Sequence, residues 1–468
     1  MTLLLFEDEL WKNLSPLVYT RPIFDLRCGA FTLRERAVAL LATRNVLMVG
    51  DERRRRVLES HVASMDVLGI CRHHLMPCYG LNGDLSGVLG ASTPLVLVNG
   101  RALDLNWLPN LLESPIGTVY ESHGVLLGAR LSPSLASAIM YYLMHQAAAD
   151  ALDELKRFGQ VVSINTTMLE YPWELISRAG DQLVHDWPLL SVRLPRYVNQ
   201  DPHIVVHQAH HVHVADSAQL DGPLVLDARD GPIFIDEDAH IEPFSFIQGP
   251  AYIGSKALVS SARIRPETSI GPVCRVGGEI EASTMQGYSN KHHDGFLGHS
   301  WLGEWVNVGA MTTNSDLKNT YGTVRVPIDG LGQLNSGVLK LGCFLADHVK
   351  LGIGLHLNGG SMIGIGSNIF GVHMVPKAVP PFTWGGDVFR EYRLENMIDV
   401  ARRVMKRRKH VLSDEYEQML RSVFAMTRAS RGYLNGETYL PQTNVTPTEQ
   451  LALSHAETEA VRAFELAR

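Results

Sequence analysis

Aliphatic residues recur every six positions through the central part of this 468-residue chain. Ile235, Ile241, Ile247, Ile253 and Val259 form a first run, and after a slip of one position Ile264, Ile270 and Val276 resume it. A second run holds Leu339, Leu345, Leu351, Leu357, Ile363 and Ile369 in strict register. A period of six fits neither an α-helix at 3.6 nor an amphipathic strand at 2.0. It fits a chain that turns a corner every six residues and points one aliphatic side chain inward from each flat face, the signature of a parallel β-helix. Glycine often follows the aliphatic position, as in Ile253-Gly254, Ile270-Gly271, Leu351-Gly352 and Ile363-Gly364. Small residues and glycine at the corners are expected to supply backbone freedom.

Two stretches break the repeat, about 283–296 and about 311–336. Segments thrown out of a solenoid usually carry function, because the coil is scaffold. Their polar content (Asn290, Lys291, His292, His293, Asp294; then Asn314, Asp316, Lys318, Asn319) suits projecting functional loops.

The flanks differ. Residues 1–195 alternate strand-like runs (Leu3–Phe6, Val46–Val49, Pro94–Val98, Gly124–Leu127) with amphipathic stretches (Phe31–Ala42, Leu135–Phe158). This predicts an α/β domain with a largely parallel sheet. A connecting segment is expected over 196–232, the β-helix over 233–385 and a helical extension over 386–468, with helices at Glu391–Lys409 and Ser413–Met426. The basic run Lys406-Arg407-Arg408-Lys409 reads as a solvated helix end, where cations suit the helix dipole.

A net charge of −7 gives no electrostatic reason to expect nucleic acid or an anionic membrane as partner. No stretch approaches the ~20 apolar residues of a membrane span, and the apolar run in MTLLLFEDELW is too short for a signal segment. Five scattered cysteines suit a reducing compartment, so a cytoplasmic location is expected.

The run His293-Asp294-Gly295-Phe296-Leu297-Gly298, followed by Trp305-Val306-Asn307-Val308-Gly309-Ala310-Met311-Thr312, resembles the acetyltransferase half of a bacterial family. That family is the bifunctional N-acetylglucosamine-1-phosphate uridyltransferase/glucosamine-1-phosphate acetyltransferases. Leu14–Gly29 (LSPLVYTRPIFDLRCG), Tyr171-Pro172-Trp173-Glu174-Leu175 and Asn314-Ser315-Asp316-Leu317-Lys318-Asn319 are similar to its divergent, alternative branch. The resemblance implies a nucleotidyltransferase-like (Rossmann-like) α/β domain, a left-handed hexapeptide β-helix and a homotrimer. Acyl-CoA, with acetyl-CoA as the expected donor, would lie between neighbouring coils.

Amide formation from a thioester needs a neutral amine, a base for its proton and a donor to the developing oxyanion. By resemblance His293 is the base, with His292 next to it as substitute, and Asn307 orients base and substrate. Arg265 matches an arginine that holds the sugar phosphate, and a planar guanidinium suits that task. Lys291, Asn314 and Lys318, on the expected loops, are candidates for contact with substrate or CoA phosphates. Two positions depart from the family: Glu281 stands near a family lysine and Phe296 in place of a tyrosine, and both lost groups would touch the sugar phosphate.

Sugar nucleotidyltransferases cradle a triphosphate on a glycine-rich loop and hold Mg²⁺ with a carboxylate. Here the first strand runs into Glu7-Asp8-Glu9 without glycine, which leaves Arg21 and Arg27 to neutralise phosphates. In Pro94-Leu95-Val96-Leu97-Val98-Asn99-Gly100-Arg101, arginine replaces the metal-binding aspartate, and Asp104 is the nearest acid that could compensate for Mg²⁺. Cys71, His73, His74 and Cys78 have wide spacing for zinc, and the histidines at 203, 207, 210, 211 and 213 read as a surface strand.

The sequence therefore predicts an acyl-CoA-dependent N-acyltransferase acting on an amino-sugar phosphate or a nucleotide-linked amino sugar. The alternatives are a sugar-1-phosphate nucleotidyltransferase (uridylyl transfer) and a trimeric scaffold that binds sugar nucleotide without catalysis.

Overall fold

A computed structural model describes residues 2–43, 66–70, 94–145, 147–371 and 374–435. The expected strand at Val46–Val49 and the Cys71–Cys78 cluster lie outside these residues.

The N-terminal domain is built on a six-stranded sheet in the order 66–70, 2–6, 95–99, 125–131, 118–122, 160–163. Its first strands are apolar throughout because both faces are covered. Leu3 and Leu5 enter one core while Leu4 and Phe6 enter the other. The sheet is largely parallel, as expected, with one exception: Val125–Leu131 runs antiparallel to both of its neighbours. The long helix expected over 135–158 is two helices, Pro133–His145 and Ala148–Phe158. The second starts where the Asp150 carboxylate accepts the Ala147 N–H at 3.0 Å.

The β-helix has three faces of short parallel strands in register. The first runs from Val212–Val214 to Ala378–Val379 and the second from Gln219–Leu220 to Thr383–Gly385. The third comprises six strands from Ile204–His207 to Phe296–Gly298, followed by three more that begin at Thr313–Asn314. Ile235, Ile241, Ile247, Ile253, Val259, Ile264, Ile270 and Val276 all point inward and are fully buried. The segment 196–232 is not a separate connector, because its strands pair in register with the turns that follow.

The stretch 283–296 is not a projecting loop. Thr284–Gly287 and Asn290–Lys291 are ordinary coil strands, with Met285 and Lys291 in inward positions. The repeat is hidden there because a methionine and a lysine stand in place of aliphatic residues. The real excursion covers residues 315–343 between two coil strands, and it folds back on the molecule. Its hairpin pairs Arg325–Ile328 with Gly332–Asn335. Val326, Ile328 and Leu334 share a core with Leu17, Val18 and Trp301. Leu339 lies in this excursion and is 52% exposed, so its agreement with the six-residue period is coincidental.

The glycines do a different job from the one expected. Corner residues with left-handed φ are mostly not glycine: Lys256 (57°), Glu267 (63°), Trp305 (60°) and Met311 (62°). Gly254, Gly271 and Gly364 instead allow turns to stack closely. A Cβ on Gly271 would lie 2.2 Å from the Gln286 carbonyl oxygen, and one on Gly364 would lie 2.3 Å from the Pro381 nitrogen.

After the coil, helices Leu394–Arg407 and Asp414–Met426 pack Met397, Ile398, Leu420 and Val423 into the core that also holds Phe344 and Phe382. Ser413 caps the second helix by accepting the Tyr416 N–H at 3.2 Å. No helix among the described residues is long and apolar enough to cross a membrane.

Candidate functional site

The second coil face carries the first group of site residues. Inward positions alternate with outward ones along each strand, so Lys291 points in while its neighbour Asn290 points out. Register aligns Arg275, Asn290, Asn307 and Lys350 in one outward column. Asn307 is exposed, and its Oδ1 accepts from Asn290 Nδ2 at 3.3 Å. Asn290 Oδ1 in turn accepts from Arg408 Nη2 at 2.6 Å. The sequence places Asn290 only among the polar residues of an expected functional loop and reads the basic run containing Arg408 as a solvated helix end, so it gives no link between the two.

The chain leaves this face at His292 and His293. The two rings meet edge to face at 5.1 Å. His293 is exposed, whereas His292 is half-buried with a buried, unpartnered Nδ1. Burial first, then His293 and Arg275, hold the His292 pKa below the ordinary histidine value, which favours a neutral ring able to accept a proton. Lys291, expected on an exposed loop, is instead 1% exposed in the coil interior, and its Nζ donates to the His293 carbonyl. Burial lowers its pKa to about 8, with Asp294 opposing.

Asn314 and Lys318 are also spoken for. The Asn314 side chain accepts the Gly298 N–H and donates to the Gly298 carbonyl, both at 2.9 Å, a ladder between successive turns. Lys318 Nζ donates to the Thr323 carbonyl within the excursion. Arg265 is half-buried, and its Nε is buried without a hydrogen-bond partner.

A second histidine cluster is not apparent from the motifs. His299 sits at the corner after Phe296–Gly298, and its Nδ1 is 2.8 Å from Asp316 Oδ2. The histidine bond is the first cause that lowers the Asp316 pKa. A carboxylate on Nδ1 fixes the tautomer and leaves Nε2 as the acceptor, the arrangement of an oriented general base. The spacing of 17 residues, one turn of the coil, is the signal that could link the two.

Arg21 and Arg27 do not face an open phosphate site. Arg21 is buried between Asp347, which it pairs through Nη2, and Glu304 at 3.4 Å, while Thr20 donates to the same Asp347 carboxylate at 2.5 Å. The Arg27 backbone N–H donates to Gln286 Oε1 at 2.9 Å, and its carbonyl accepts from Trp301 Nε1 at 3.1 Å. Both arginines join the N-terminal domain to the coil.

The metal position is filled by an ion pair. Arg101 donates to Asp8 Oδ1 at 2.7 Å and Oδ2 at 2.6 Å, and to the Leu169 carbonyl at 2.8 Å. Asn99 Nδ2 adds a bond to Asp8 Oδ2 at 3.0 Å. Asp104 does not compensate: its Oδ1 accepts the Asn106 N–H at 2.9 Å. Among the described residues no three acids, histidines or cysteines converge as metal ligands. These residues do not fit Mg²⁺.

Residues 3–193 match the sugar nucleotidyl transferase family model. The chain is 32% identical over 188 residues to the bifunctional protein GlmU of Acidithiobacillus ferrooxidans, covering 39% of this chain and 35% of that protein. It is 32% identical over 143 residues to a bifunctional sugar-1-phosphate nucleotidylyltransferase/acetyltransferase of Sulfurisphaera tokodaii, covering 30% and 35%. The chain thus spans about a third of the length of these curated relatives. Among solved structures, a Francisella novicida UDP-N-acetylglucosamine acyltransferase matches over 48% of this chain and 92% of its own, at 11% identity and a TM-score of 0.25. The sequence matches support a GlmU-like relationship.

Proposed function

We propose that this GlmU-like chain is an acyl-CoA-dependent N-acyltransferase for an amino-sugar phosphate or a nucleotide-linked amino sugar, assembled as a homotrimer. Its N-terminal domain keeps the nucleotidyltransferase fold without metal-dependent transfer. The observation that carries this reading is the contrast between the two halves. The N-terminal domain closes its metal position with the Asp8–Arg101 pair, while the coil leaves His293 and Asn307 exposed.

In the proposed reaction the acceptor amine attacks the thioester carbonyl, so a C–N bond forms and the C–S bond breaks. His293 takes the amine proton, and the departing thiolate leaves as the free thiol after protonation. Lys291, bonded to the His293 carbonyl, holds the corner that carries the base. Mg²⁺ has no part in this scheme. A second reading gives the proton to His299, because Asp316 orients that ring while no side chain among the described residues orients His293 in the same way.

The test is thiol release from acetyl-CoA across amino sugars, their 1-phosphates and their nucleotide conjugates. Removing a general base costs on the order of 10²–10⁴ in rate. A loss of that size in His293→Ala supports the first reading, and the same loss in His299→Ala alone supports the second. No release with any acceptor from a folded trimer overturns acyl transfer.

A further inference from the structure

The basic run at the end of the first C-terminal helix is only partly solvated. Lys406, Arg407 and Lys409 are not drawn onto the coil, but Arg408 turns back and bonds Asn290. This sets it beside Arg275 on the second face. The charged groups acting on Arg408 are Arg275 and Arg407, both repelling; the Cys274 thiol beside them is pushed up to about 12 by burial and stays neutral, and no carboxylate is among them. The outward column around it reads Leu258, Arg275, Asn290, Asn307, Lys350, Asn368, again without an acid. Lys350 is turned away from the column, because its Nζ donates to the Trp305 and His348 carbonyls at 2.6 and 3.0 Å, and burial lowers its pKa to about 7.

A fold that holds two guanidinium groups together without a counter-charge is best satisfied by an anion. We infer that Arg275, Arg408 and the Asn307 amide form a site for a phosphate monoester or diphosphate group. Neighbouring strands are ~4.8 Å apart, so Arg275 and Asn307, on either side of Asn290, span about 10 Å, enough for a diphosphate. Asn290 keeps the donors in place: it fixes Arg408 through Oδ1 and turns the Asn307 oxygen inward through Nδ2, leaving the Asn307 nitrogen free to donate. His292, also within the field of Arg275 and Arg408, lies between this site and His293, with Glu242 as the acid that acts on it. The phosphate end of a substrate would therefore be anchored beside the candidate base. The inference deepens the acyltransferase reading and rests on it only for the ligand's identity.

Binding to the full chain tests it without turnover. Isothermal titration is run with inorganic pyrophosphate, coenzyme A, dephospho-coenzyme A and glucosamine 1-phosphate against wild type, Arg275→Gln and the Arg275→Gln/Arg408→Gln double variant. Arg275 is exposed, so its single variant tests the site even if Arg408→Gln disturbs helix docking. Arg229→Gln, on the third face, is the control. At least one probe is expected to bind wild type and to weaken about tenfold or more in each variant, while the control is unchanged. A loss with coenzyme A but not its dephospho form assigns the donor's 3′-phosphate, a loss with both assigns its diphosphate, and a loss with glucosamine 1-phosphate assigns the acceptor. Equal binding by wild type and variants, or no binding by wild type, overturns the site. In either case thiol release decides acyl transfer independently.

Discussion

At the residue scale, the most informative groups are charges placed where a coil or a sheet would prefer carbon. Lys291 stands in the inward column between Val276 and Val308, and its ammonium reaches only the His293 carbonyl. Replacing a buried ion pair by apolar side chains of similar volume is often neutral or stabilising by about 1–4 kcal/mol, and a lone buried ammonium carries the same kind of desolvation cost. Lys291→Met is therefore expected to raise stability in that range near pH 7, read by chemical denaturation, while acyl transfer falls as the corner loosens. The pH dependence has a definite sign. Because the folded pKa of about 8 lies below the ordinary lysine value of 10.5, the unfolded chain binds the extra proton between these values. The penalty is complete below about pH 8 and shrinks as pH rises towards 10.5, so the gap between variant and wild type should narrow over that window. A constant gap would show that the ammonium carries no burial cost. The Asp8–Arg101 pair makes the opposite case. Arg101→Ala leaves the buried Asp8 carboxylate without its counter-charge, though still bonded by Asn99, and should cost about 3–5 kcal/mol, whereas Arg101→Met with Asp8→Leu should recover most of the loss.

At the element scale, the coil's inward ladder is plain in the sequence over residues 235–276 and 345–369, because isoleucine, leucine and valine fill it there. It is obscured wherever Met285, Lys291 or Asn314 takes an inward place, so a coil segment reads as a loop. The period reports side-chain chemistry, whereas the fold requires only the corner geometry and backbone stacking between turns. Arg101 is legible as an anomaly at a strand end, but its partner Asp8 is 93 residues away, and only the pairing of neighbouring strands brings them together. The glycine positions test the stacking argument. Gly271→Ala should destabilise by about 1–3 kcal/mol, while Gly322→Ala, with its nearest neighbour 3.8 Å from the new Cβ, should be near neutral. Equal effects would show that backbone freedom, not close approach, is what glycine supplies.

At the scale of the whole molecule, the N-terminal domain and the coil are joined by buried polar contacts. Arg21, Thr20, Asp347 and Glu304 bridge them, and Tyr19 donates to Asp329 of the excursion at 2.9 Å. The residues expected to meet a nucleotide's phosphates therefore serve the join, which no reading of local composition could reveal. Asp347→Ala should cost about 1–3 kcal/mol, because Arg21 keeps the longer contact to Glu304 while the Thr20 hydroxyl loses its acceptor, with a lowered Tm as the readout. Sedimentation tests the proposed assembly: a three-chain mass is expected, and a monomer would contradict it. Acyl transfer itself is tested by moving a labelled acetyl group from acetyl-CoA to an amino-sugar acceptor, with the amide identified by mass spectrometry. Wild type should form the amide without added metal, and loss of one corner histidine, His293 or His299, should slow it by about 10²–10⁴-fold. An undiminished rate after removal of both histidines, or no product from wild type with any acceptor, would refute the proposed chemistry.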